Sequence, residues 1–371
     1  MTSKPRARDL GIPLEGIPGP YNAITDVSNV EVGFATLIEG DSVRTGVTAI
    51  HPRGKANHDL VFGGVFSFNG NGEMTGTAWI EEGGFVEGPI CITNTHSVGI
   101  VRDTVIDWQV RNDAMFQMWS IPVVAETADG WLNNMNGFHV KPEHVLQALD
   151  SASSGAFPEG NVGGGTGMIS YEFKGGTGTA SRKLSEKFGG YTVGALVQAN
   201  FGRRYQLTVA GVPVGQHITE DAFFTHGESP FREQGSLIVI IATDAPLLPY
   251  QLKRVAKRAT LGMARTGSLG GNGSGDIFLA FSTANRGVAS LKVGSADFLR
   301  NDGLDTIFAA AALATEEAIL NALVAAETMT GRDGLRVPAL PHERLREILR
   351  QYNRLDNINP ARGKPSGVNI S

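Results

Sequence analysis

The stretch that most constrains this chain is Gly270-Gly271-Asn272-Gly273-Ser274-Gly275-Asp276 and the apolar run behind it, Ile277 to Ser282. The run reads as a buried β-strand, and a glycine-rich approach places a serine just ahead of it. A serine hydroxyl can attack the carbonyl carbon of the residue before it, turning the peptide into an ester that water then cleaves. That strained geometry suits a preceding residue without a side chain, and Gly273 is one. After such a cut Ser274 would carry a hydroxyl and a free α-amine. With an ordinary pKa of ~7.7–8.0, that amine can serve as the hydroxyl's own base. On these residues alone two readings stay open: a scissile Gly273–Ser274 bond, or an ordinary glycine-rich turn before a strand. The GxSxG elbow of other serine hydrolases does not fit, because Asn272 and Asp276 stand where its glycines belong and a strand follows, not a helix.

The chain of 371 residues has room for one large domain or two ordinary ones, and 41% hydrophobic with 19% charged residues is a globular balance. A net charge of -5 gives no electrostatic reason to expect nucleic acid. The single cysteine, Cys91, excludes an internal disulfide framework, and its apolar neighbours mark it as a buried structural thiol. The eight histidines show no metal-type spacing, so no metal site and no cofactor are expected. No apolar run sits behind the basic N-terminal residues, and none approaches the ~20 residues of a membrane span. The expected location is the cytoplasm, with no membrane partner.

Strand patterns cover Val30 to Ala35, Leu60 to Phe68, Val86 to Ile92, Ser97 to Val101, Ile121 to Ala125, Tyr191 to Asn200, Ser236 to Ala242, Asp276 to Ser282 and Ser290 to Val293. Helical spacing covers Val105 to Met118, Lys141 to Ala152 from about Pro142, Leu248 to Arg265 and Leu304 to Met329. Residues 157–168 are too glycine-rich for regular structure throughout, and 215–234 read as an exposed connection. No repeat or composition break divides the chain, which predicts a single α/β domain over 1–371. The run Gly163-Gly164-Gly165-Thr166-Gly167 lacks the order of a phosphate loop, and no lysine follows closely enough; it reads as backbone passing near the substrate or Ser274.

The residues around Ser274, with Thr243-Asp244-Ala245-Pro246-Leu247-Leu248-Pro249 upstream, resemble the family of the L-aminopeptidase D-Ala-esterase/amidase and the β-peptidyl aminopeptidases. The likeness continues in order through Gly130-Trp131-Leu132-Asn133, the glycine-rich segment from Pro158 to Gly167, Tyr171 to Gly176, Val197 to Gly202 and Thr315-Glu316-Glu317-Ala318. The resemblance implies a four-layer αββα sandwich of the N-terminal-nucleophile-hydrolase type. It also implies self-cleavage between Gly273 and Ser274 into an α chain, 1–273, and a β chain, 274–371, which stay together and associate further as a homo-oligomer. The implied activity is that of a serine aminopeptidase acting through an acyl-enzyme on Ser274, with short peptides or aminoacyl amides or esters as substrates. Glu159 matches a family glutamate that looks like the anchor for the substrate ammonium. Thr315 and Glu317 match a hydroxyl-and-glutamate pair that supports the nucleophile. Residues two apart on one helix point to nearly opposite sides, so both can face one site only if a helix begins here with Thr315 as its N-cap. Asn200 is a candidate oxyanion donor, Tyr171 a second donor or a pocket residue, and Trp131 a pocket wall. Two rivals remain at this stage: an acyltransferase using the same acyl-enzyme, and a non-catalytic small-ligand binding protein.

Overall fold

A computed structural model describes residues 4–222 and 235–356. In chain order, β1 (Glu31–Glu39) and β2 (Val43–His51) form a hairpin, and β3 (Val61–Ser67) leads into α1 (Thr77–Gly83). Two short strands follow, β4 (Phe85–Val86) and β5 (Ile90–Thr93), then α2 (Val98–Arg111), β6 (Val123–Glu126) and α3 (Pro142–Asp150). The middle holds β7 (Ile169–Ser170), β8 (Phe173–Lys174), β9 (Gly176–Lys183), β10 (Thr192–Asn200) and α4 (Val214–His217). The last part is β11 (Ser236–Thr243), α5 (Pro249–Arg265), β12 (Ile277–Ser282), α6 (Asp305–Ala325), the small pair β13 (Met329–Thr330) and β14 (Arg336–Val337), and α7 (His342–Gln351).

Two large sheets result, four strands in the order β1-β2-β5-β6 and six in the order β4-β3-β12-β11-β10-β9, beside the two-stranded pairs β7-β8 and β13-β14. Each large sheet contains one parallel pair, β5/β6 and β11/β12, because a helix (α2 or α5) carries the chain back across the sheet between them. β10, β11 and β12 are buried on both faces, which is why their sequences run apolar without alternation. Successive residues of β12 divide accordingly. Leu279 and Phe281 join the core between the sheets; Phe278 and Ala280 join the core under α5 and α6. A third core, with Cys91 and Val124, lies between the four-stranded sheet and α2/α3. Three apolar cores between four layers make the αββα sandwich.

α5 turns Leu252, Val255, Ala256, Ala259 and Met263 inward and leaves Lys253 and Lys257 exposed. Gly262 lets α6 come so close that a Cβ there would lie 2.5 Å from the Ala312 carbonyl. α6 is long and apolar enough to cross a membrane, with a mean hydropathy of 1.6, which the sequence reading did not register. It is buried instead, packed between the six-stranded sheet and its neighbour helix, and so is apolar all round.

Several expectations need correction. Ser97 to Val101 is not a strand but the start of α2, which ends at Arg111, short of Met118. Val86 to Ile92 splits at Gly88 (φ 73°) into strands of different sheets. Ser290 to Val293 forms no strand; a single 3₁₀ turn spans Val288–Ser290. Most of the 215–234 connection lies outside the described residues.

Candidate active site

The ends of β3, β6, β10 and β11 and the turn before β12 meet at one mouth of the sandwich. They enclose a cleft of about 1240 Å³ whose lining includes Asn71, Glu126, Trp131, Asn200, Asn272 and Gly273. Ser274 lies just beneath that lining, fully buried. The chain reaches it through Gly270, held at φ 64°, and a turn closed by the Ser274 N–H donating to the Gly271 carbonyl at 3.0 Å. The Ser274 hydroxyl donates to Asp276 Oδ1 at 2.8 Å. Asp276 is itself fixed, since Oδ1 also accepts the Leu237 N–H at 2.9 Å and Oδ2 accepts Asn69 Nδ2 at 3.1 Å. The loop after β3 presses on this turn. A Cβ on Gly275 would lie 2.4 Å from the Asn71 carbonyl, so only glycine fits there.

Three carboxylates line the cleft, Glu73, Glu126 and Asp333, and the buried one is Glu126, the last residue of β6. It is 3% exposed, and its oxygens accept the Glu73 N–H at 2.9 Å and the Thr95 hydroxyl. Burial pushes its carboxyl above the usual carboxylate range, partly offset by those two hydrogen bonds. Among the described residues it forms no salt bridge. Its place relative to Ser274 follows from Gly72. A Cβ built there would lie 3.1 Å from the Gly275 Cα and 3.2 Å from Glu126 Oε1, so those two atoms are no more than about 6.3 Å apart. A group able to hold a cation therefore stands within about 6.3 Å of the residue that follows the serine.

The residues singled out in the sequence divide into two sets. Asn200 reaches the cleft from the end of β10. Its Oδ1 accepts the Ile169 N–H at 2.9 Å, and one N–H of its Nδ2 is given to the Ala128 carbonyl at 2.9 Å, leaving the amide oriented with a second N–H. Trp131, 45% exposed, forms part of the wall. Glu159 is not in the cleft lining. Its carboxylate meets Arg6 Nε at 2.7 Å and accepts the Thr179 N–H at 2.8 Å, so it ties the N-terminal segment to β9. Tyr171, at φ 51°, is fully buried with its hydroxyl 2.7 Å from Thr266 Oγ1 and its ring against Phe201. It is a packed tyrosine, not a cleft residue.

Thr315 and Glu317 do not sit at a helix start. Both are in the middle of α6, and the Thr315 hydroxyl donates back to the Ala311 carbonyl at 2.8 Å, as mid-helix threonines do. Glu317 pairs with Arg182 and Arg8, each at 2.8 Å. Neither residue hydrogen-bonds Ser274. The glycine run 163–167 forms a buried 3₁₀ turn under β2, where a Cβ on Gly164 would meet Gln198 Oε1 at 2.2 Å. It is packed backbone and absent from the cleft lining. Among the described residues no cluster of His, Cys, Asp and Glu could hold a metal ion.

Three polar groups beside the cleft or Ser274 were not singled out from the sequence: Glu126, Asn71 and Asp276. Glu126 left a signal, a carboxylate ending the apolar strand Ile121 to Ala125 where it must be buried. Asn71 and Asp276 left only loop composition.

Two facing sheets between helix layers, with a serine leading the central strand of one sheet, define a molecule of the N-terminal-nucleophile hydrolase class. The chain belongs to peptidase family S58, whose model matches residues 22–337. It is 55% identical over 372 residues to the β-peptidyl aminopeptidase BapA of Sphingosinicella microcystinivorans, covering 95% of this chain and 93% of that one. It is 46% identical to BapA of Sphingosinicella xenopeptidilytica, covering 93% of this chain and 91% of the relative. Among solved structures it superposes on the L-aminopeptidase D-Ala-esterase/amidase of Ochrobactrum anthropi, a prototype of the serine aminopeptidases with a variant of the Ntn hydrolase fold. That match has a TM-score of 0.89 at 51% identity and covers 95% of this chain and 100% of the other.

Proposed function

We propose that this chain is a self-processing serine aminopeptidase in which Glu126, not Glu159, receives the substrate's amino group. The observation that carries this is the approach of a buried carboxylate, with no salt-bridge partner among the described residues, to within about 6.3 Å of Gly275 Cα in the turn that bears Ser274. An ammonium bound at Glu126 brings the adjacent carbonyl, and not one further along a peptide, to the serine; that spacing is what makes an exopeptidase. The ammonium supplies the countercharge that burial denies Glu126.

In the scheme, the chain is first cut between Gly273 and Ser274, and 1–273 and 274–371 remain packed together through β11/β12 pairing. Ser274 Oγ then attacks the substrate carbonyl, and its proton passes to the new α-amine. The free N–H of Asn200 supports the oxyanion. The amine or alcohol leaves, and water hydrolyses the ester on Ser274. The steps draw on no metal or organic cofactor. Short peptides and aminoacyl amides or esters suit a cleft of this size, and the relatives' names point the same way. Association of processed pairs into a homo-oligomer and a cytoplasmic location belong to the same proposal.

The test is intact mass measurement with turnover of an aminoacyl p-nitroanilide. Two fragments ending and starting at Gly273 and Ser274 are expected, with both processing and turnover absent in Ser274→Ala. An active sample that stays one chain would sink the scheme.

A further inference from the structure

We infer that Asn71 is the oxyanion donor of the self-cleavage reaction and Asp276 its base, a pair of roles separate from those that serve turnover. The inference rests on the self-processing reading above. Its observation is local. Asn71 Nδ2 donates to the Gly273 carbonyl at 2.9 Å, and that carbonyl belongs to the bond to be cut. The Asn71 backbone N–H lies 3.3 Å from the Ser274 carbonyl oxygen, so one residue grips the peptide units on both sides of the serine. Contact with the side-chain-less Gly275 locks Asn71 in this position.

The donor set at this carbonyl differs from that of the substrate. Asn200, the candidate donor for substrates, is committed to Ile169 and Ala128 on β10's side of the cleft; Asn71 stands on the loop after β3. A tetrahedral centre at Gly273 puts its negative charge on the oxygen that Asn71 already holds, without reorganisation. The Ser274 hydroxyl proton already points to a carboxylate, Asp276 Oδ1 at 2.8 Å, while the α-amine that serves turnover does not yet exist.

The step balances. The Ser274 Oγ–H proton moves to Asp276 as Oγ bonds to the Gly273 carbonyl carbon, and the electron pair of the C=O bond goes to the oxygen facing Asn71. Collapse breaks the C–N bond, and Asp276 returns its proton to the departing Ser274 nitrogen. Water entering from the cleft, which Gly273 and Asn272 line, then hydrolyses the ester to a Gly273 carboxylate and a free Ser274 hydroxyl.

The experiment follows conversion of freshly made precursor to two chains by denaturing gel and intact mass, with thermal melts run alongside. Loss of one oxyanion donor slows such reactions by about 10²–10³-fold, so Asn71→Ala is expected to convert that much more slowly while keeping a cooperative melt. Asn71→Asp keeps the shape. Ionised, it repels the oxyanion and donates nothing to it, so it is expected to convert as slowly as Asn71→Ala. Asp276→Asn is expected to convert slowly at every pH. Asn71→Ala converting within threefold of the unaltered chain overturns the inference. Should that variant fail to melt cooperatively, Asn71→Asp converting within threefold of the unaltered chain at pH 7 overturns it instead. An unaltered chain that never cleaves removes the self-processing reading itself, a separate result.

Discussion

Arg182 and Glu317 form an ion pair at 2.8 Å with side chains 3% and 0% exposed, in the layer where α6 covers β9. Burial alone would raise the Glu317 carboxyl. Arg182, Arg8 and Asn22 outweigh it and hold the group below the usual carboxylate range. Removing one partner of a buried pair strands the other, at about 3–5 kcal/mol. Glu317→Gln is therefore expected to lower the denaturation midpoint markedly. Because the folded pKa is depressed, the pair's stabilisation is present above the ordinary carboxylate pKa and is lost as pH falls through the lower folded value. Urea titration of both proteins at pH 7 checks this. A variant with an unchanged midpoint and no turnover would return Glu317 to the catalytic role that the resemblance implies.

Glu126→Gln keeps the shape of the cleft carboxylate and removes its charge. Truncating one partner of a desolvated charge pair costs about 2–5 kcal/mol, which is roughly 30- to several-thousand-fold in kcat/KM. The loss is expected with aminoacyl p-nitroanilides, mostly as a higher KM. In the unaltered enzyme the acid limb of the pH profile is expected above the ordinary glutamate range, since burial raises this carboxyl and only the ionised form holds an ammonium. Steady-state kinetics from pH 4 to 8 read both. An unchanged KM in Glu126→Gln would assign the ammonium elsewhere.

What the sequence made legible follows from what leaves a periodic trace. β10, β11 and β12 announce themselves as apolar runs, α5 as an amphipathic helix, and Ser274 as the residue where glycine gives way to strand. The split at Gly88 and the helix starting at Val98 were hidden because short apolar runs fit either state, and layer context decides between them. The choice between two candidate anchors was hidden for a related reason. Glu159 and Glu126 are both single carboxylates in local sequence, and what distinguishes them is their partner. Arg6, far away in the chain, neutralises one, and nothing among the described residues neutralises the other. The Thr315 cap failed because α6 continues through it, its buried surroundings overriding a favourable capping pattern.

Asn200→Ala removes the cleft's side-chain oxyanion candidate. A loss of about 10²-fold or more in kcat with KM within a few-fold is expected, since the N–H acts on charge that develops only in the transition state. Because the amide also ties Ile169 to Ala128, a melt must accompany the kinetics. Asn200→Asp offers a contrast. It can still accept from Ile169 but, ionised, donates to nothing, and it is expected to lose kcat as fully. Retained kcat in either variant would leave backbone N–H groups to carry the oxyanion alone.

Lys174 supplies a pH test of the fold that is independent of the active site. Its ammonium is fully buried on β8 and donates to the Met168 and Gly175 carbonyls at 2.8 and 2.9 Å, with no carboxylate paired to it among the described residues. Burial pushes its pKa down to about 7. An unfolded chain holds that proton up to about 10.4, so above pH 7 the unfolded state binds more protons and stability rises with pH, by at most ~1.4 kcal/mol per unit. Cys91 acts in the opposite sense. Burial pushes its thiol up to about 12, so the unfolded chain loses this proton first, from about pH 8.5. The Lys174 contribution is thus cleanest between about pH 7 and 8.5. Urea midpoints across that window are expected to climb in the unaltered protein relative to Lys174→Met, which has no proton to lose; comparing the two cancels Cys91. Parallel curves would mean that the carbonyl cage keeps the ammonium charged throughout.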